Sequence, residues 1–204
     1  MARTGWGRAC SSRCRARRMW PRSVRWFSMM QKGRGSMSEG LTRREPVPAE
    51  PVSGRDVIVR AAAPMARYAL RAGQASDVEK LLGRPVPHKI GDTDQGVFCL
   101  GPDEWLLLAP AGTALSAGEG AAVAVTEVSD RNIGIIVEGP RASEVLAAGC
   151  PLDFDRFNVG RATRTIFETA EVIILRDAAD RFHVEVWRSF APWLWTAFVT
   201  VASE

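Results

Sequence analysis

The stretch FHVEVWRSFAPWLWTAF, residues 182–198, reads as one strand running directly into one helix. Phe182, Val184 and Val186 fall on one face at the strand period of two, with His183, Glu185 and Trp187 on the other. Ser189 is placed to cap the helix, and Pro192 falls in its first turn, where a missing N–H does no harm. Phe190, Leu194, Ala197, Phe198 and Val201 share one helical face, and Trp193 and Trp195 lie off it. A helix apolar on more than one side must be covered on more than one side. One small domain covers one face, so the excess asks for a partner. The segment therefore predicts a chain that docks rather than catalyses. Its expected contact residues are Trp187, Phe190, Trp193, Leu194 and Trp195.

Working outward, charge is divided unevenly. Residues 1–38 hold nine arginines and Lys32 with no Asp or Glu, whereas the remainder has 17 basic and 23 acidic residues. An argument for nucleic acid rests wholly on that leader, and the body gives none. Three readings fit residues 1–36: an organelle transit peptide, a basic arm, or a segment outside a translation start at Met37. Composition favours the last, since Arg, Gly, Ser and Trp are what GC-rich DNA yields when read through. Residues 37–55, with Pro46, Pro48, Pro51 and Gly54, read as an extended arm that orders against a partner.

No apolar run reaches the roughly 18–20 residues of a membrane span. Cys10, Cys14, Cys99 and Cys150 are scattered, with neither disulfide-framework nor zinc-finger spacing, which suits a reducing cytoplasmic setting.

The body, residues 56–204, carries strand patterns at 57–59, 67–71, 96–100, 104–109, 121–128, 133–137, 162–167, 171–175 and 181–187. Helix signals cover 76–82, ended by Gly83, and 140–148, with Pro140 at the first position and Gly149 at the end. Residues 110–120 are small and flexible, with room for a short helix. Strand 67–71, helix 76–82 and strands 96–100 and 104–109 echo strand 133–137, helix 140–148 and the strands of 162–187. The expected fold is α+β: two pseudo-repeated β-α-β-β subdomains, about 56–120 and 121–204, with mixed or antiparallel sheets and a C-terminal helix.

The catalytic inventory is thin. His88 stands in a Pro-flanked loop with no ligand-spaced partner and reads as a surface histidine. His183 and Glu185, two apart on a strand, are neighbours able to pair, most simply as a polar strand face at an interface. Gly139-Pro140 starts a helix and is no phosphate loop; G-x-S-x-G, H-E-x-x-H and C-x-x-C are all missing. Asp103, Glu104 and Arg131 are the candidate ligand groups, although turn chemistry already explains Asp103 and an Asp130–Arg131 pair is more often a local salt bridge. No catalytic, cofactor-binding or metal residue is assigned.

Five segments are specific enough to carry a resemblance: LGPDEWL at 100–106, VSDR at 128–131, GPR at 139–141, VLAAGCPLD at 145–153 and EVWRSFAPWLW at 185–195. Together they resemble the gamma subunit family of heterotetrameric sarcosine oxidase, over about residues 38–204. The resemblance implies an accessory chain beside alpha, beta and delta subunits. It implies a complex that oxidises sarcosine to glycine, reduces oxygen to hydrogen peroxide and, with tetrahydrofolate, yields 5,10-methylenetetrahydrofolate. It places FAD, FMN and NAD in the alpha and beta subunits and zinc in delta. It implies a fold like the folate-binding fold of the glycine-cleavage T-protein, without making this chain the folate site. The alternative is a stand-alone folate-binding protein or aminomethyl transferase using Asp103, Glu104 and Arg131.

Overall fold

The computed structural model describes residues 44–204, which form one compact unit. The leader readings, and the expectation for residues 37–43 of the arm, lie outside the described residues.

The elements in chain order are β1 (Val52–Gly54), β2 (Val57–Ala61), β3 (Met65–Ala72), α1 (Ala75–Leu82), β4 (Thr93–Asp94), β5 (Val97–Gly101) and β6 (Glu104–Pro110), followed by β7 (Val123–Glu127), β8 (Asn132–Glu138), α2 (Ala142–Ala147), β9 (Arg161–Phe167), β10 (Ala170–Ala178), β11 (Arg181–Trp187) and α3 (Ala191–Ser203). They build a six-stranded sheet, β1-β2-β8-β11-β10-β9, and a five-stranded sheet, β4-β5-β6-β3-β7. Every strand pairing is antiparallel.

Alternation along the strands decides the layers. In β11, Phe182, Val184 and Val186 enter a core shared with Val145 and Leu146 of α2 and Leu194 and Phe198 of α3. In β3, Tyr68, Leu70 and Ala72 enter a second core with Val78 of α1. The opposite faces of the two sheets meet in a third, smaller core of Phe98, Leu106, Leu108, Val128, Ala162 and Ile173. The order of layers is therefore helix, sheet, sheet, helix, with the central strands burying their two faces against different neighbours.

The internal echo is real, and longer than the sequence pattern suggests. β3-α1-β4-β5-β6 and β8-α2-β9-β10-β11 run in the same order, and their strands lie as β4-β5-β6-β3 and β9-β10-β11-β8. Each unit is thus β-α-β-β-β. The two-residue β4 is too short to show a period, which is why the sequence offered only three strands in the first unit.

The strand that precedes each unit crosses to the other sheet. β2, just before β3, pairs with β8, and β7, just before β8, pairs with β3. The sheets consequently do not follow a division at residues 120 and 121.

Two local expectations change. No helix forms over 110–120; the Tyr68 hydroxyl donates to the Thr113 carbonyl and accepts from the Leu115 N–H, tying the loop down. The second helix begins at Ala142, not at Pro140. Arg141 takes the cap position, and its N–H bonds to the Asp56 carbonyl, outside the helix.

Candidate functional site

The described part of the arm, from Arg44, orders against this chain's own last helix. The Arg188 guanidinium donates to the Arg44 carbonyl and lies 3.6 Å from the Glu45 carboxylate. Val47 enters the core that holds α3. β1 pairs with β2, and the Arg55 N–H reaches the Ala202 carbonyl at 3.1 Å. A Cβ on Gly54 would overlap that same carbonyl, so the close approach of arm and helix needs glycine there. The arm therefore runs from the start of α3 to its end.

The buried face of α3 differs from the one expected. Ala191, Leu194, Trp195, Phe198 and Ala202 are buried, at spacings of i, i+3, i+4, i+7 and i+11. Trp195, expected off the apolar face, is only 7% exposed, and Leu194 is fully enclosed. Both belong to this chain's own core and leave the set of surface contacts. Phe190, expected on the buried face, is the cap residue outside the helix and is 41% exposed; Ser189 does not cap. Trp187 and Trp193 are exposed by 43% and 39%.

These exposed aromatics cluster at one end of the six-stranded sheet. Trp187 faces Asn132 across the β11–β8 pair, and Phe190 lies 6.4 Å from it, centroid to centroid. The Arg131 guanidinium sits 5.7 Å above the Trp187 ring. Trp193 packs edge-on against Phe167, at the end of β9. Ile166, beside Phe167, is 48% exposed and was missed in the sequence, where an isoleucine in an alternating strand gives no sign of being left uncovered. Its strand partner is Glu171, and one further step in the β10–β11 register sets Glu171 beside Trp187. Ile166, Glu171 and Trp187 thus form a row on the face that elsewhere packs on the second sheet.

The polar face of β11 is buried between the sheets. The Arg67 guanidinium donates to both Glu185 oxygens, at 2.6 and 3.0 Å, and to the Met65 carbonyl at 3.0 Å. His183 Nε2 lies 2.7 Å from Glu185 Oε1. Burial pushes the Glu185 carboxyl up, but the hydrogen bonds and charges of His183 and Arg67 outweigh it and hold it below the ordinary carboxylate range. Gly134 faces Glu185 across the pair of strands. A Cβ there would stand 2.7 Å from His183 Nε2 and 3.0 Å from Glu185 Oε1. The His183–Glu185 pairing expected from the sequence forms, and its interface is the seam between the two sheets. The sequence did not reveal Arg67 as the third member, because 118 residues separate it from Glu185.

The structure brings Asp103 and Glu104 together on Arg71, and Arg131 contacts neither. Asp103 is bonded to Arg71 at 3.0 Å, and Glu104 is held by Arg71 and Arg164. The Arg164 hydrogen bond holds the Glu104 carboxyl below its ordinary range. Arg131 is engaged with Trp187 and the Asn132 side chain. An open depression of about 540 Å³ lies beside Arg71, Gly73, Asp103 and Ala121 to Ala124, and its two charged groups are already paired with each other. His88 is an exposed loop residue bonded to Glu79. Among the described residues, no group of three or more His, Cys, Asp or Glu could hold a metal ion, and no helix is long and apolar enough to cross a membrane.

The pseudo-repeated architecture and the aromatic end of the sheet can be set beside known proteins. The family described as sarcosine oxidase, gamma subunit, matches residues 69–204. The chain belongs to the sarcosine oxidase gamma subunit family. A member of the gamma subunit family, sarcosine oxidase subunit gamma from Arthrobacter sp, is 29% identical over 161 residues, which are 73% of this chain and 76% of that one. A chain of the heterotetrameric sarcosine oxidase from Corynebacterium sp. U-96, solved in complex with pyrrole 2-carboxylate, superposes with a TM-score of 0.67 and 27% identity. The match covers 79% of this chain and 97% of that chain. The glycine cleavage system aminomethyltransferase T from Bartonella henselae matches with a TM-score of 0.51 at 17% identity, over 72% of this chain and 46% of that one. That likeness shows that this gamma-family chain shares the T-protein fold.

Proposed function

We propose that this chain is a non-catalytic accessory subunit of a heterotetrameric sarcosine oxidase. In this reading its partners are the alpha, beta and delta subunits, and FAD, FMN, NAD, zinc and tetrahydrofolate are held by those partners. The complex oxidises the N-methyl group of sarcosine, releasing glycine. Oxygen is the electron acceptor and becomes hydrogen peroxide, and tetrahydrofolate takes up the one-carbon unit as 5,10-methylenetetrahydrofolate. The reaction belongs to the assembly, which we place in the cytoplasm.

Family membership over residues 69–204 carries this reading. The distribution of polar groups supports it. Of the ligand candidates, Asp103 and Glu104 are paired with Arg71 and Arg164, and Arg131 lies over Trp187, whereas Trp187, Phe190 and Trp193 stand open to solvent at one end of the sheet. A chain built to hold the chemistry would show the opposite allocation.

The test is co-expression with the alpha, beta and delta chains, followed by purification through a tag on this one. The expected result is a single flavin-bearing complex that oxidises sarcosine, and a purified isolated chain that neither oxidises sarcosine nor gives heat with tetrahydrofolate. A flavin-free monomer as the sole product, or folate binding by the isolated chain, overturns the proposal; the second result supports a stand-alone folate protein instead.

A further inference from the structure

The two sheets end differently where the crossing strands lie. Ile58 of β2 pairs with Glu138, which pairs with Arg181, the first residue of β11. Ala124 of β7 pairs with Arg71, which pairs with Glu104, the first residue of β6. Val57-Ile58-Val59 and Val123-Ala124-Val125 are therefore counterparts, and in each the two valines face the core beneath their own sheet's helix. Their backbones agree as well. The Ala62 N–H reaches the Gly134 carbonyl at 2.9 Å, which by alternation turns the backbone of Ile58 toward β8 and those of Val57 and Val59 outward. The Val128 N–H reaches the Arg67 carbonyl at 2.8 Å, which turns Ala124 and Thr126 toward β3 and Val123, Val125 and Glu127 outward. On the six-stranded sheet the outward valines meet β1, with Val52 opposite Val59 and Gly54 opposite Val57. On the five-stranded sheet β7 is the outer strand, and among the described residues no backbone group pairs with that edge.

We infer that β7 is the docking edge for an extended segment of a partner subunit, which pairs antiparallel with Val123–Glu127 and lays an apolar side chain opposite Val125, as Val52 lies opposite Val59. The inference rests on the accessory-subunit reading above and adds the place and kind of a contact. A row of outward N–H and C=O groups is complementary to the backbone of another extended strand. β7 is open to one. Its five residues include no Lys, Arg or Pro, and Ala124 and Thr126 are exposed. The open depression beside Ala121 to Ala124 leaves its first end clear. β9, the other long outer strand, is already held at Ala162 by the Gly91 carbonyl and carries Arg164. An apolar side chain is selected by the counterpart position. With Val52 packed beside it Val59 is fully buried, whereas Val125 is only half-buried. The arm that supplies β1 is fixed along α3 and β2 from Arg44 to Arg55 and does not serve β7.

The experiment measures hydrogen exchange of the Val125 and Glu127 amides in the full chain alone and in the complex co-expressed with the other subunits. Both are expected to exchange as an open edge does in the chain alone, and about tenfold or more slowly in the complex. Val125→Pro removes an outward N–H and leaves the bonds to β3 in place, and is expected to weaken association about tenfold or more. Val125→Ala keeps that N–H and is expected to weaken it less. The exchange comparison needs no variant and decides the matter even if Val125→Pro unfolds. If the complex forms and the two amides exchange as fast as in the chain alone, the docking edge is wrong and the accessory-subunit reading stands. Protection already present in the chain alone also overturns the inference: protection lost on dilution makes the occupant a second copy, and protection lost on removing residues 1–36 makes it this chain's own leader. If the wild type fails to assemble, the accessory-subunit reading falls and the docking edge falls with it.

Discussion

Arg67 and Glu185 lie 118 residues apart and join the two sheets through hydrogen bonds of 2.6 and 3.0 Å. Both side chains are buried, at 5% and 1% exposure. Their value to the fold lies in mutual compensation. Two charges taken out of water together can come close to breaking even, whereas one left alone is costly. Arg67→Met is therefore expected to lower the unfolding free energy by about 3–5 kcal/mol, and Glu185→Leu by a comparable amount. The double variant Arg67→Met/Glu185→Leu is expected to recover much of the loss. Urea titration of the four proteins measures this, and additive single effects would show that the pair does not act as a unit.

The same pair sets a pH dependence. The folded Glu185 carboxyl titrates below the unfolded value of about 4.3. A group lowered by folding contributes stability that is fully present above its unfolded pKa and lost as pH falls toward and through the folded one. Glu138, lowered by its hydrogen bond from Arg60, and Glu104, lowered by Arg164, act in the same direction. Stability is expected to hold down to about pH 5 and to fall steeply below about pH 4. Glu185→Gln should flatten that acid limb. Thermal melts from pH 3 to 7 would contradict this if wild type and variant lost stability in parallel.

Gly134 is required by its neighbours. Its missing side chain leaves the space in which His183 and Glu185 meet. Gly134→Ala is expected to cost about 1–3 kcal/mol, because Ala62 packs from the other side and a Cβ would approach it to 2.7 Å. Equal denaturation midpoints for the two proteins would show that the seam can relax.

The two tryptophans of α3 should separate cleanly. Trp195→Ala removes a buried core side chain and is expected to cost about 3–5 kcal/mol. Trp193→Ala removes a ring that still touches Phe167 but is substantially exposed, and is expected to change stability by about 1 kcal/mol or less. In co-purification with the other subunits the order is expected to reverse, with folded Trp193→Ala weakened in assembly. Comparable stability losses at both positions would place Trp193 in the core as well.

Much of the strand and helix inventory can be read along the sequence, because local period and turn chemistry are local properties. The alternation of Phe182, Val184 and Val186 with His183 and Glu185 is visible in seven letters, and Gly101-Pro102-Asp103 marks its turn unaided. β4 is not legible, since two residues carry no period. β1 is not legible either, because Val52-Ser53-Gly54 reads as linker and becomes a strand only by pairing with β2.

The FHVEVWRSFAPWLWTAF segment by itself determined a strand, a helix, the polar and apolar faces of the strand, and an excess of aromatic surface. The sequence as a whole also carried the resemblance to the gamma subunit family. Tertiary structure decided how that excess is divided. The arm from Arg44 to Arg55 is tied to Arg188 at one end and to the last turn of α3 at the other, places Val47 in the core that holds α3, and adds β1 to the sheet; Trp195 is enclosed while Trp193 is not. It also decided that Glu185 would meet Arg67, and that Ile166 would stand beside the exposed tryptophans. The physical reason is the same in each case. Facing and burial depend on which distant segment arrives, and the exchange of β2 and β7 between the sheets brings together residues whose relation no local period can show.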